Sequence, residues 1–133
     1  MDLLAFLRDS PPFDQLTEAE LAAIAPAFEL VRFSRGTRIL REGGAPSEYL
    51  YLVWQGEVGL TADGQLRQVL EQGDIFGYPS MLGQDAPVFD VTAAGDVIAY
   101  RLPEPHFRTL LDNAAFARYF IGSLGERLRT AFE

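Results

Sequence analysis

Between Leu30 and Leu102 the sequence alternates short β-prone runs with turns, and this pattern restricts the fold more than any other feature. Apolar residues recur at every second position, as at Tyr49, Tyr51 and Val53, which is the period of a strand with one buried face. Turns that contain glycine separate the runs at hairpin spacing, at Gly36, Gly43-Gly44, Gly56, Asp63-Gly64 and Gly73-Asp74. Many short strands at this spacing predict a barrel or a sandwich.

Helical periodicity frames this β-rich segment on both sides. Thr17 and Glu20 have the spacing of a capping box, so a helix is expected to begin there, after a shorter helix that ends before Pro11-Pro12. Beyond Pro103 a stripe of large apolar residues recurs every fourth position, at Phe116, Phe120, Leu124 and Leu128. We therefore predict one domain over residues 1–133, with helices over 1–29, a β-roll over 30–102 and two C-terminal helices over 103–133.

Composition and charge exclude several classes of function. Lysine is absent, all 11 cationic side chains are arginines, and 19 acidic residues leave a formal net charge of −8. Direct binding to DNA or RNA is not expected, because it depends on clustered cationic residues. The absence of cysteine excludes disulfides and thiolate-bound metals. No run approaches the ~20 apolar residues of a membrane span, and no signal peptide is recognisable, so we expect a cytoplasmic location without membrane contact.

Residues that could carry catalysis are sparse. His106 is the single histidine, and it lies near a predicted helix start. A metal-dependent enzyme built on a jelly roll would need two or three histidines with a carboxylate around one ion. Serine and threonine have no histidine base in any recognisable motif. We therefore expect no enzyme activity and no metal site.

Several motifs, in this order and spacing, resemble the cyclic-nucleotide-binding domain, and the resemblance extends over nearly the whole chain. The motifs are FDQLTEAELAAIA, REGGAPSEYLYLVWQGEVGL, EQGDIFGYPSMLG and DVIAYRLPEPHFRTLL. The resemblance implies a mainly β fold, an eight-stranded double-stranded β-helix or jelly roll, with N-terminal helices and two C-terminal helices.

The resemblance also places a candidate pocket in the segment FGYPSMLGQDAPVFDVTA. In the family this cassette reads F-G-E-x-A-L and then P-R-A; the acid binds the ribose 2′-hydroxyl and the arginine binds the cyclic phosphate. Here Tyr78 stands at the acidic position and Pro87 at the arginine position. The candidate pocket residues are Phe76, Gly77, Tyr78, Ser80, Met81, Leu82, Pro87 and Phe89.

The two replacements disfavour cAMP and cGMP as ligands. A buried charge without its partner costs ~2–5 kcal/mol, whereas amides at a helix N-terminus contribute at most ~2 kcal/mol. Tyr78, Pro79 and Phe89 instead predict an apolar, aromatic-walled pocket, which either stacks on a planar ligand or is filled by its own side chains. Both alternatives stay open. Three arginines are candidates to replace the missing cation: Arg101, Arg118 and Arg127.

We interpret the chain as a regulatory domain of a bacterial signalling protein that senses a ligand or docks a partner. No cofactor is expected, and the ligand is a nucleotide or another small molecule. In the family, ligand occupancy changes how the C-terminal helices pack on the roll. The residues expected to carry that packing here are Phe107, Leu111, Phe116, Phe120 and Leu124.

The segment from Gly73 to Pro103 resembles modules that precede paired CBS domains and a nucleotidyltransferase-like region, so such downstream domains are expected partners. Three alternatives stay open. The first is that the chain is a cyclic-nucleotide receptor with substitute contacts. The second is that it is the sensor part of a Crp-type transcription regulator without its DNA-binding domain. The third is that it is a homodimerisation module that uses the stripe from Phe116 to Phe132.

Overall fold

The computed structural model describes residues 2–122, in which eight strands form a roll and short helices lie before it, after it and, in one case, between two of its strands. The strands are β1 (Glu29–Phe33), β2 (Arg38–Leu40), β3 (Tyr49–Gln55), β4 (Val58–Ala62), β5 (Gln65–Leu70), β6 (Ile75–Phe76), β7 (Asp90–Ala93) and β8 (Val97–Pro103). The helices are α1 (Leu3–Arg8), α2 (Glu18–Ile24), α3 (Tyr78–Gly83), α4 (Glu104–Leu110) and α5 (residues 114–122), with 3-10 turns at Phe13–Gln15 and Ala25–Ala27. Within this part of the chain no helix has the length and apolar character to cross a membrane.

The strands form two four-stranded sheets, with the orders β1-β8-β3-β6 and β2-β7-β4-β5. Every pairing within them is antiparallel. The predicted double-stranded β-helix is confirmed. The roll is one residue longer at each end than predicted, because Glu29 pairs with Arg101 in the first sheet and Pro103 pairs with Tyr49.

Strand β3, in the interior of the first sheet, is buried on both faces. Its side chains alternate, so Leu50 and Leu52 point to one face while Tyr51 and Val53 point to the other. Leu50 and Leu52 belong to a core shared with the helices. Tyr51 and Val53 belong to a second core inside the roll, against the other sheet. The predicted period of two is confirmed, and this one sheet separates two cores.

Helix α2 begins as predicted. The Thr17 hydroxyl accepts a hydrogen bond from the Glu20 backbone N–H at 3.1 Å, and the Glu20 carboxylate accepts one from the Thr17 N–H at 2.8 Å. The bond from the Thr17 N–H lowers the pKa of Glu20. Asn113, the residue before α5, accepts a hydrogen bond from the Phe116 N–H and donates one to Glu20. It therefore caps α5 and joins that helix to α2.

The two described residues of the α5 stripe pack inside the chain. Phe116 and Phe120 are buried, and both rings contact Phe107 of α4. The prediction that the stripe offers a dimer surface is wrong for these two residues, because the helical core already covers them. The other predicted members, Leu124 and Leu128, lie outside the described residues.

Gly56 turns the chain between β3 and β4, where only glycine fits. Its φ is +89°, and a Cβ atom there would lie 2.4 Å from the carbonyl oxygen of Asp96. Gly73 has almost the same φ, +90°, but a Cβ atom there would meet nothing within 4 Å. The two positions therefore have nearly the same φ and differ in steric contact.

We expect Gly56→Ala to lower the free energy of unfolding by more than ~2 kcal/mol, since strain and a backbone clash add together. The matched control Gly73→Ala should lower the free energy of unfolding by only ~1 kcal/mol, because it adds the strain of the left-handed conformation without a clash. Urea denaturation of both variants measures the difference. Equal losses would mean that the turn moves away from Asp96 at no cost, against this account.

Candidate ligand pocket

The cassette helix α3 is held between the roll and the helices by a close approach of two backbones. Gly77, the residue before α3, has φ +92°, and a Cβ atom there would lie 2.7 Å from the carbonyl oxygen of Tyr49. Only glycine permits that distance together with that φ. The predicted tight turn at Gly77 is therefore present, and it fixes where α3 begins.

A small cavity lies between α3 and the interior of the roll. Its volume is about 20 Å³, room for a single water molecule. The residues that line it are Leu40, Leu60, Phe76, Gly77, Pro79, Ser80, Pro87, Val88, Phe89 and Val91. Five of the eight predicted pocket residues are brought together here: Phe76, Gly77, Ser80, Pro87 and Phe89.

The remaining three predicted pocket residues face away from the cavity. Tyr78, Met81 and Leu82 pack in the helical core, and the Tyr78 ring lies 5.1 Å from that of Phe120. The prediction that Tyr78 forms a pocket wall is therefore wrong. Positions 78, 81 and 82 have i, i+3, i+4 spacing and share one face of a helix, a signal in the sequence that was available.

Ser80 uses its hydroxyl to attach the cassette to the loop before β3. The Ser80 Oγ accepts a hydrogen bond from the Ser47 N–H at 3.0 Å and donates to the Gly77 carbonyl at 3.5 Å. Ser80 and Ser47 are both buried. Ser80 therefore lines the cavity but holds α3 in place through these bonds.

No charged side chain is among the residues that line the cavity. Arg101, the candidate cation on β8, instead donates to the Glu29 carboxylate at 2.8 Å and lies 4.2 Å from the centre of the Tyr49 ring. Arg118 is exposed on α5, and Arg127 lies outside the described residues. Neither Arg101 nor Arg118 lines the cavity.

Arg101 nevertheless lies next to the roll interior, because its side chain interacts with Tyr51, a residue of the inner core. Burial raises the pKa of Tyr51, and the positive charge of Arg101 acts in the opposite direction. The Tyr51 ring stacks on Phe76, with 4.8 Å between centroids and 5° between planes. Phe76 is itself part of the cavity wall, so the Tyr51 ring contacts that wall from behind.

Four wall residues have no motif that would have identified them: Leu40, Leu60, Val88 and Val91. Strand alternation predicts that apolar residues of β4 and β7 face the interior. It does not say which of them meet the cassette, because that depends on how the two sheets close. These residues were therefore missed by sequence reasoning.

The other face of the cassette is attached to the C-terminal helices. Arg108 of α4 donates to the Met81 carbonyl at 3.3 Å, and Gln84 donates to the Glu104 carboxylate at 3.0 Å. Together with the contact between Tyr78 and Phe120, these bonds join α3 to α4 and α5. Of the residues predicted to couple the roll to the helices, Phe107, Phe116 and Phe120 are buried, Leu111 is half-buried and Leu124 lies outside the described residues.

Comparison with known proteins identifies a family whose members share this fold. The model of the family described as "Cyclic nucleotide-binding domain" matches residues 30–114. A cAMP-dependent protein kinase regulatory subunit of Mycosarcoma maydis is 37% identical over 93 residues, which cover 68% of this chain and 18% of that protein. The chain thus spans less than a fifth of that relative.

Two solved structures extend the comparison. The regulatory subunit of a cAMP-independent protein kinase A from Trypanosoma cruzi, bound to guanosine, is 30% identical with a TM-score of 0.77, over 85% of this chain and 41% of that one. The sensor domain of the transcriptional regulator DNR from Pseudomonas aeruginosa is 21% identical with a TM-score of 0.77, over 94% and 92% of the two chains, and shows a shared fold.

These relatives support the predicted family, while the resemblance to modules that precede CBS domains stays a prediction. The match covers the β-roll, the cassette and the first C-terminal helix, and it includes every residue that lines the cavity. The chain therefore belongs to the cyclic-nucleotide-binding domain family.

Proposed function

We propose that this chain is the regulatory domain of a larger cytoplasmic signalling protein, and that its cassette does not hold a cyclic phosphate in the manner of the family. One observation carries the proposal. Pro87, at the position of the family's arginine, lies in the cavity wall among apolar side chains, and no lining residue is charged. The domain acts by sensing a different ligand or by docking a partner, without catalysis.

The energetic argument rests on the missing cation. A buried charge left without its partner costs ~2–5 kcal/mol, which corresponds to a loss of affinity of roughly 30-fold to several thousand-fold. Backbone amides at the start of α3 offer little compensation, because Pro79 lies in the first turn and has no N–H. A cyclic phosphate in this cavity would therefore face an uncompensated desolvation cost.

The output of the domain would pass through α3, which contacts the cavity on one face and the C-terminal helices on the other. A ligand or partner that moves α3 must also shift Tyr78 against Phe120. The contact between Tyr78 and Phe120 would then differ between the ligand-bound and the free state, as a two-state regulator requires. The bacterial source and the downstream CBS and nucleotidyltransferase-like domains belong to this proposal, and the full gene sequence tests them.

A second candidate function is binding of an uncharged planar ligand such as a nucleoside. The T. cruzi relative, 30% identical, was solved with guanosine, a ligand that has no phosphate. The apolar lining, with the rings of Phe76 and Phe89, suits a planar ring system better than an anion. Because the cavity is now about 20 Å³, Pro79 and its neighbours on α3 would have to move outward to admit the ligand.

A thermal-shift panel of cAMP, cGMP, adenosine and guanosine distinguishes these candidates. Each compound is added at ~1 mM. A ligand present at about 100 times its dissociation constant stabilises the folded domain by ~2.7 kcal/mol and raises its Tm by several degrees. We expect no shift with either cyclic nucleotide. A shift with a nucleoside alone would support the second candidate, and no shift with any of them would favour docking. Calorimetry that gives a micromolar Kd for cAMP or cGMP would overturn the proposal.

The Pro87→Arg variant tests the missing cation directly. The substitution places a guanidinium in the cavity wall and keeps the Pro87 carbonyl, which accepts a hydrogen bond from the Gly43 N–H. We expect cAMP to bind at least ~30-fold more tightly than to the original chain, since the phosphate regains its partner. The matched control is Pro87→Gln, which is polar but uncharged. Equal cAMP affinity in two folded variants would mean that charge is not what the cavity lacks.

A further inference from the structure

A second and larger depression lies on the opposite side of β3 from the cassette cavity. It has a volume of about 420 Å³ and is lined by residues of the end of α1, of β3 and of the turn between β5 and β6. That volume falls within the ~300–1,000 Å³ typical of ligand sites. We call it the Trp54 groove; the residues that matter for binding are Phe6, Asp9, Pro11, Trp54, Gln72 and Asp74.

An aromatic side chain forms one wall of the Trp54 groove. Trp54 is the single tryptophan of the sequence and is half-buried. The Phe6 ring packs against it edge-to-face, with 4.7 Å between centroids and 75° between planes. Gln72 donates to the Trp54 carbonyl at 3.1 Å, which holds the β5–β6 turn beside the indole. The indole is therefore held in position before any partner arrives.

The charge of the groove has one sign. Asp9 and Asp74 line it, and no arginine is among the lining residues. Arg8, next to Asp9 in sequence, is paired with Glu18 at 2.9 Å. The Asp74 carboxylate accepts a hydrogen bond from the Glu71 N–H at 2.9 Å, which orients it. With a net charge of −8 over the whole chain, the groove is complementary to a cation.

We propose that the Trp54 groove docks an arginine-bearing segment of a partner protein, with the guanidinium against Trp54 and the carboxylates of Asp9 and Asp74 as its acceptors. Arginine suits this combination better than lysine. Its planar guanidinium stacks on aromatic rings, pairs with carboxylates in fork geometry and is less strongly hydrated than an ammonium group. This docking site is independent of what the cassette cavity binds.

The test titrates the 133-residue chain with the peptide acetyl-Gly-Arg-Arg-Gly-amide and follows Trp54 fluorescence, which is the only tryptophan signal of the protein. The same peptide with citrulline in place of arginine keeps the shape and removes the charge. We expect a saturable change with the arginine peptide and none with the citrulline peptide. A flat signal with both peptides, or equal binding of both, overturns the proposal.

A pair of double variants separates the groove from the general negative charge of the protein. Asp9→Asn with Asp74→Asn removes two charges from the groove, and the asparagine at 74 can still accept from the Glu71 N–H. The matched control, Asp63→Asn with Asp96→Asn, removes two exposed charges elsewhere. We expect the groove variant to bind the arginine peptide about tenfold more weakly and the control to bind almost as the original chain does. Equal losses of peptide affinity in the two variants would mean that the peptide is attracted only by the overall negative charge, and would refute docking in the Trp54 groove.

Discussion

The structure depends on one sheet that lies between two cores and whose strand β3 is buried on both faces. In β3 the alternation of side chains sends Leu50 and Leu52 into the helical core and Tyr51 and Val53 into the roll. Neither core could form without the other, because exposing one face of this sheet would leave a row of large apolar residues in water. The helices are therefore an integral part of the fold, and their position is linked to whatever happens on the roll side of the sheet.

The cassette helix repeats this two-sided arrangement on a smaller scale. One face of α3 lines the cavity through Pro79 and Ser80, and the other packs Tyr78 against the C-terminal helices. At the family's acidic position, a side chain that would reach toward a sugar hydroxyl is replaced by one that packs in the protein core. At this position the cassette therefore contacts the C-terminal helices, because the Tyr78 ring lies against that of Phe120. This contact is the route by which, in the proposed function, movement of α3 would reach the C-terminal helices.

Much of this could be predicted from the sequence because the signals are local. The capping box at Thr17, the turn at Gly77 and the alternation of β3 all depend on residues within a few positions of each other, and all three are present. The prediction that failed, that of Tyr78 in the pocket wall, depends on a contact between residues far apart in the sequence. Tyr78 was placed in the pocket because the family pattern orients that position toward the ligand, whereas a large aromatic ring is more stable in the apolar helical core.

The sequence by itself determined the family, the order of strands and helices, and the presence of an uncharged proline at position 87, since motif order and residue identity need no coordinates. Only the tertiary structure decided that the cavity has room for about one water molecule, that Arg101 is committed to Glu29 and Tyr49, and that Phe6 and Trp54 meet beside two carboxylates. These features join residues far apart in the chain. Their proximity is set by how the two sheets close and how the helices pack on them, which no local pattern of residues encodes.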